Sequence, residues 1–246
     1  MATPTPPTLP EDPGSNLNTA DEFPSSIVDD VVADEWEDVG AENRWTKTTA
    51  GTAPTGPVDD VDLVGQVYTL PAANSELILQ SKKQPIRLIP GTSAWFLWRI
   101  MQEDNSGDSE LVVGLVDTET APFTNGFNDG VFWRRDDSNV WTICYARNAT
   151  AVADYVEGVP DHSPLDEAMT MLGCLISCDS RVNGKMNIAY YLNGQLVGHH
   201  FPDEDGPWDA DLRLSIAAKS SGVLTLERAG RGANTEHLAQ VLRPLS

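Results

Sequence analysis

The spacing of turn residues after Arg44 constrains the fold more than any other feature of this sequence. Short runs rich in Val, Ile, Thr and aromatic residues alternate there with Gly, Pro, Asn and Asp, a pattern typical of strands joined by turns. No long helical pattern separates these runs, so a parallel α/β sheet is not expected. The sequence therefore predicts an all-β chain folded as a two-sheet antiparallel sandwich.

Two hairpins give the clearest local signals. Asn193-Gly194 joins two β-rich runs and suits the two positive-φ positions of a type I′ turn, and a second hairpin is expected to close through Asp136–Asn139. The segment Asn234–Arg243 fits either a helix or a closing strand. Strands are predicted near 61–70, 76–80, 86–89, 94–102, 110–117, 129–135, 140–148, 169–178, 186–192, 195–200, 211–217 and 222–228.

Some of these predicted strands are apolar on both faces. Leu111–Val116 and most of Ala94–Met101 show no alternation of apolar and polar residues. In Met169–Ile176 only Thr170 and Gly173 lack an apolar side chain. A strand with one solvated face should alternate apolar and polar residues. We therefore expect the outer faces to be covered by the N-terminal arm, a neighbouring subunit or another protein of an assembly.

The first 60 residues differ in composition from the rest. They hold 8 of the 17 prolines, and 13 acidic residues against only Arg44 and Lys47. Such a segment cannot offset its ordering entropy by burial alone. The expected organisation is an acidic, Pro-rich extended arm over 1–60, a sandwich over 61–229 (with 44 as an alternative start) and a C-terminal tail or closing element over 230–246.

Apolar residues scattered through the arm indicate an extended chain that orders against another surface. A disordered linker, or an amphipathic helix over Ser25–Val39, is also compatible with the pattern. The residues predicted to contact the partner are Phe23, Ile27, Val28, Val32 and Trp36.

Bulk composition excludes several functional classes. A net charge of −21, from 37 acidic and 16 basic residues, argues against nucleic-acid binding, which depends on Lys and Arg. No apolar stretch approaches the ~20 residues of a membrane span, and the N-terminus lacks the pattern of a secretory signal. The three cysteines show no metal-ligand spacing and are expected to be reduced, as in a protein that stays in the cytoplasm where it is made.

No reactive constellation emerges from the remaining motifs. Phosphate-binding, zinc-protease and hydrolase motifs are absent, and no strand carries the carboxylate pair that glycosidases need. His199 and His200 are adjacent on a strand and should point to opposite faces. We expect no catalytic residue, no metal and no cofactor, and no enzymatic activity.

Two weaker patterns favour structural roles. The loop Asp117–Thr120, with the nearby Asn125, Asn128 and Asp129, has oxygen ligands that suit Ca²⁺, but Asx-rich turns are common where strands reverse. The residues Trp95, Trp98, Trp133 and Trp141 could form a sugar-stacking platform, although their position within strands favours core packing.

Three segments resemble tailed-phage virion proteins that have a concanavalin-A-like jelly roll. These segments are Val113–Thr120 continued by Asn128–Asp137, Tyr190–Gly198, and the opening Arg44–Thr52. The resemblance spans roughly 44–228. It implies a jelly-roll sandwich that decorates or cements the outside of a capsid, often as an oligomer, with no catalytic residues.

The leading functional hypothesis is therefore a structural virion protein. It predicts that the sandwich sits on the capsid exterior, after assembly in the host cytoplasm, while the arm crosses neighbouring subunits of the major capsid protein. Contacts spread over several subunits would provide multivalent attachment, and a homo-oligomer, either a trimer or a dimer, is expected. The alternative is a glycan-binding, lectin-like module of a head or tail fibre.

Overall fold

The chain folds as an antiparallel, nearly all-β structure. The computed structural model describes residues 26–30, 45–60, 65–82, 85–88, 93–104, 109–117, 122–138, 140–157, 169–178, 186–202 and 210–233. Within these ranges, no helix is long and apolar enough to cross a membrane. The elements are β1 Ser26–Asp30, β2 Trp45–Ala50, β3 Thr55–Asp60, β4 Gly65–Ser81, β5 Ser93–Asp104, β6 Glu110–Val116, α1 Pro122–Asn125, β7 Gly130–Arg135, β8 Trp141–Arg147, β9 Thr150–Tyr155, β10 Thr170–Ser177, β11 Asn187–Leu192, β12 Gln195–His200 and β13 Arg213–Ala233.

Two long strands, β4 and β13, run through both layers of the sandwich. In the first sheet the strand order is β2, the end of β4, the start of β13, then β6, β7, β8 and β9. In the second sheet the order is β12, β11, β10, β5, the end of β13, the start of β4, then β3. The register of β4 against β13 shifts between Lys219 and Ser221, where both strands pass from one sheet to the other. Strands that switch sheets commonly do so at such irregularities.

The core lies between the two sheets and draws on nearly every strand. Trp98 and Trp133 are completely buried, and the indole of Trp98 packs against that of Trp45 with ring centroids 5.6 Å apart. Two hydrogen bonds cross the core: Trp133 Nε1 donates to the Gly173 carbonyl at 3.1 Å, and the Tyr190 hydroxyl donates to the Cys144 carbonyl. The tryptophans of the inner faces therefore fix the two sheets against each other, as their placement within strands predicted.

Both predicted hairpins are present. Asn193 and Gly194 have φ of 48° and 81° and join β11 to β12. The β7–β8 turn is held by the Asp136 carboxylate, which accepts hydrogen bonds from the backbone N–H groups of Ser138 and Val140 at 3.0 and 2.8 Å. In each case a local residue preference sets the turn.

Several predicted strand boundaries are wrong. The described part of the strand predicted at 61–70 and the strand predicted at 76–80 belong to one strand, β4. The strands predicted at 211–217 and 222–228 likewise fall largely within one strand, β13, because turn-like residues at a bend need not end a strand. The strand predicted at 86–89 is a single bridge from Ile86 to Leu212. The strands β1, β2, β3 and β9 were not among the predicted strands.

One segment of the N-terminal region pairs with the sandwich. β1 is antiparallel to the end of β13, with Asp30 opposite Arg228 and Ile27 opposite Arg231. Residues 26–30 are thus extended rather than helical, because the edge of β13 supplies their hydrogen-bond partners. The strands of the sandwich itself run from Trp45 to Ala233.

Candidate ligand-binding face

The outer face of the first sheet, which points away from the core, carries a second apolar cluster. Phe123 and Phe127 pack over it from the α1 segment, and the Phe127 and Phe132 rings lie 5.4 Å apart. The sheet residues beneath them are Ile78, Val112, Val116, Phe132, Cys144, Ala146 and Ala217. The two-sided apolar strand β6 is therefore covered by a segment of its own chain, not by a separate subunit, in this region.

A group of charged side chains borders this apolar cluster. Lys219 Nζ donates to Glu110 Oε1 at 2.8 Å, and Arg134 Nη2 lies 3.6 Å from Glu110 Oε2. The hydrogen bond that Lys219 donates to Glu110 raises the pKa of Lys219, whose Nζ also lies 6.0 Å from the centre of the Phe123 ring. Glu110 itself is mostly buried, so its carboxylate orients the two cations more than it faces solvent.

Beyond the charged group, three side chains stand next to one another on the uncovered part of the face. Arg134 on β7 is opposite Thr142 on β8, which in turn is opposite Tyr155 on β9. Tyr155 is 63% exposed and the Arg134 side chain 47%. We call Arg134, Thr142 and Tyr155 the outer row. Since adjacent strands lie about 4.8 Å apart, the row spans about 10 Å.

The alternation of inward and outward side chains along β7 and β8 explains why the side chains of the outer row point away from the core. Trp133 and Trp141 point inward and pack edge to face with centroids 6.4 Å apart, so their neighbours Arg134 and Thr142 must point outward. The Thr142 hydroxyl oxygen lies 3.4 Å from the Arg134 carbonyl oxygen and 3.3 Å from Cys144 Sγ. Burial raises the pKa of the Cys144 thiol to about 11.

Of the partner-contact residues predicted in the arm, the two that the structure describes do not join this face. Ile27 and Val28 lie on β1, beside the end of β13 in the second sheet. Phe23, Val32 and Trp36 lie outside the described residues, so their role in binding a partner stays a prediction.

Most of the other candidate residues take the structural positions that the sequence favoured. Trp95 does not: it alternates with the buried Ala94 and Phe96 on β5, so it is half-buried on the outer face of the second sheet and not in the core. All three cysteines are buried free thiols, and His199 and His200 point to opposite faces, the first exposed and the second buried. Asp129 accepts a hydrogen bond from the Asn148 N–H at 3.2 Å, which is ordinary turn chemistry. Among the described residues no group of three His, Cys, Asp or Glu side chains could hold a metal ion; residues 118–121 lie outside them.

The outer row was missed by the sequence analysis because β9 was not predicted. Every residue of β9 is exposed, so Thr150–Tyr155 has no buried face and no apolar alternation to reveal it. Arg134 and Thr142 were within predicted strands, and their position between inward tryptophans was the available signal.

The fold is shared with carbohydrate recognition domains. The chain is similar to the Emp47p carbohydrate recognition domain, with a TM-score of 0.55 and 12% identity over 85% of this chain and 95% of that one. A lectin from Bauhinia forficata in complex with GalNAc gives a TM-score of 0.53 and 10% identity over 85% and 99% of the two chains. The VIP36 exoplasmic/lumenal domain in its Ca²⁺/Man-bound form gives 0.51 and 9% over 84% and 88%.

These likenesses confirm the concanavalin-A-like jelly-roll fold. At such low identity they establish the fold alone. No protein-family profile and no curated protein sequence matches the chain.

Proposed function

We propose that this protein is a carbohydrate-binding module that holds a glycan on the outer row without cleaving it. The observation that carries the proposal is the exposed alignment of an aromatic ring, a hydroxyl and a guanidinium in Tyr155, Thr142 and Arg134. An aromatic ring offers an apolar face to the C–H side of a sugar while keeping a polar tip. The guanidinium and the hydroxyl supply directional hydrogen bonds to sugar hydroxyls.

The surroundings of the outer row support binding rather than hydrolysis. Retaining glycosidases need two carboxylates about 5–5.5 Å apart, with one free to attack. The Glu110 carboxylate beside the row is paired with Lys219 and lies near Arg134, so these two cations hold it in place. Likeness of fold to carbohydrate recognition domains agrees with this role.

A glycan array followed by titration of the strongest hit tests the proposal. We expect Tyr155→Ala and Arg134→Ala each to weaken binding at least about tenfold, which corresponds to about 1.4 kcal/mol. Phe201→Ala is a matched control, because that ring is 62% exposed but lies outside the row. Absence of binding to every glycan, or an equal loss in the Phe201 variant, would contradict the proposal.

Decoration of a phage capsid is a second candidate function. The observation that favours it is β1, an extended segment of the acidic arm that pairs with the edge of the sandwich. A clamp on the major capsid protein would need such an attachment at the end of the arm that joins the sandwich. The test compares the full chain with a deletion of residues 1–44 in co-sedimentation with undecorated heads. The deletion stops there because β2 begins at Trp45; equal binding by both forms would reject the clamp.

A further inference from the structure

The large apolar side chains that are most exposed in the described part of the chain lie on one side of the molecule. Val152 and Tyr155 on β9 are 50% and 63% exposed, and Leu196 on β12 and Phe201 just after it are 50% and 62% exposed. These strands end the first and second sheet respectively. They are held together by His200 Nε2, which lies 2.6 Å from Asp154 Oδ2. Because Val152 and Tyr155 project to opposite faces of the first sheet, these exposed side chains mark the end strands rather than one continuous apolar patch.

The β9 strand has one hydrogen-bonding edge on this side that faces away from β8. Within the described residues it pairs with β8 alone. Arg147 and Thr150 flank a two-residue turn with positive φ at Asn148 and Ala149, and such flanking residues form a hydrogen-bonded pair. The Val156 N–H donates to the Trp141 carbonyl at 2.9 Å, and Val156 is six residues after Thr150, so it belongs to the same alternating set of residues that bond to β8.

The alternation of hydrogen-bonding directions along β9 then shows which of its backbone N–H and C=O groups point away from β8. The backbone groups of Thr150, Val152 and Asp154 bond to β8. Those of Ala151, Ala153 and Tyr155 point away from the sheet, because successive residues of a strand direct their N–H and C=O groups to opposite sides.

Nothing in the sequence of β9 protects this edge. Edge strands usually avoid pairing through Lys, Pro, a bulge or a covering segment. Here the register with β8 is unbroken, the sequence is Thr-Ala-Val-Ala-Asp-Tyr, and the one charge, Asp154, contacts His200. The strand thus carries one carboxylate, which His200 contacts, and its own sequence lacks the usual features that prevent pairing with another strand.

We infer that β9 pairs antiparallel with β9 of a second copy of this chain, about a two-fold axis through Ala153. This register sets Ala153 opposite Ala153, and Ala151 opposite Tyr155 of the partner copy, so all the outward groups engage in about six hydrogen bonds. Asp154 then faces Val152. A shift towards Tyr155 would oppose the two Asp154 carboxylates, which is unfavourable, and a shift towards Thr150 would leave the outward groups of Tyr155 without a partner.

A second copy fits this edge for reasons of symmetry and charge. Antiparallel pairing of a strand with itself is isologous and closes at a dimer. On a chain of net charge −21, an edge whose single carboxylate is already bound offers a site where two copies approach with little local repulsion. The axis is perpendicular to the sheet, so the outer rows of both copies face the same direction. The pairing itself does not depend on the proposed function.

Cysteine cross-linking of the full chain tests the register. Ala153→Cys should give a disulfide-linked dimer on mild oxidation, because the two Cα atoms would lie about 5.5 Å apart. Ala151→Cys is the matched control on the same strand and face. Its two copies would lie about 13 Å apart and should remain monomeric on a non-reducing gel. Cys144 is directly opposite Ala153 on β8, so both variants are made in a Cys144→Ser background. The other two native cysteines, Cys174 and Cys178, are buried and should not react in the folded protein.

Proline substitution tests the hydrogen bonding. Ala153→Pro removes an outward N–H that bonds nothing in the monomer, so the sandwich should keep its melting temperature. Dimerisation, measured by analytical ultracentrifugation over a dilution series, should weaken at least about tenfold. A wild-type chain that stays monomeric at every concentration, equal cross-linking of the two cysteine variants, or a proline variant that dimerises normally would overturn the inference.

Discussion

The adjacent residues His199 and His200 occupy opposite environments, because neighbouring strand residues point to opposite faces. The His199 ring stacks on Phe201 at 5.5 Å in solvent. The His200 ring is buried, packs edge to face on Tyr190 at 5.5 Å and contacts Asp154. His199 therefore lies on the surface, while His200 links the end strands of the two sheets.

We predict that His200→Ala lowers the free energy of unfolding by about 2 kcal/mol. The variant loses a hydrogen bond to a charged partner and leaves a cavity beside Tyr190. His199→Ala, the control, should change it by no more than about 0.5 kcal/mol, as is usual for surface substitutions. Urea denaturation of both variants measures the difference, and equal losses would show that the link between the sheets contributes nothing.

At the scale of single elements, two strand glycines show how closely the backbones of the sheets approach their neighbours. A Cβ added at Gly114 in β6 would lie 2.3 Å from the Val131 carbonyl oxygen and 2.5 Å from Phe132 Cβ. A Cβ added at Gly173 in β10 would meet nothing nearer than 3.5 Å. Only the first glycine is required by packing.

Gly114→Ala is therefore expected to cost about 3 kcal/mol of stability, since the clash involves backbone that cannot move away without disturbing β7. Gly173→Ala should be neutral within about 1 kcal/mol, because a strand glycine has no packing of its own to lose. Thermal unfolding by circular dichroism compares the two. A Gly114 variant as stable as the Gly173 variant would mean that β6 and β7 can separate freely.

An element could be predicted from the sequence only when its own residues carry the signal for that element. The Asn193-Gly194 hairpin was predictable because its turn residues carry the required φ values themselves. β9 was not, because an exposed end strand needs no apolar alternation, and with it Tyr155 and the outer row were missed. The continuity of β4 and β13 was also hidden, since a strand that bends between sheets contains residues that resemble a turn.

For the whole molecule, net charge opposes the self-association that the β9 edge favours. Each copy carries −21, and repulsion between the copies acts over the Debye length, about 30 Å at 0.01 M salt and about 8 Å at 0.15 M. The charge spread over the surface should therefore control how much dimer forms at a given protein concentration.

Raising the salt concentration from about 0.01 to about 0.15 M should accordingly strengthen dimerisation severalfold. Sedimentation equilibrium at the two concentrations measures the change, with Ala153→Pro as the control that should stay monomeric in both. Weaker association at the higher salt concentration would indicate that ion pairs, rather than backbone pairing, hold the copies together.

The passage of β4 and β13 through both sheets has a thermodynamic consequence. Neither layer can melt by itself, because loss of either one would strip hydrogen bonds from strands that the other layer shares. The sandwich should thus unfold in a single cooperative transition, without a half-melted intermediate. A perturbation at the surface of one sheet would then be felt as a change in the stability of the whole domain.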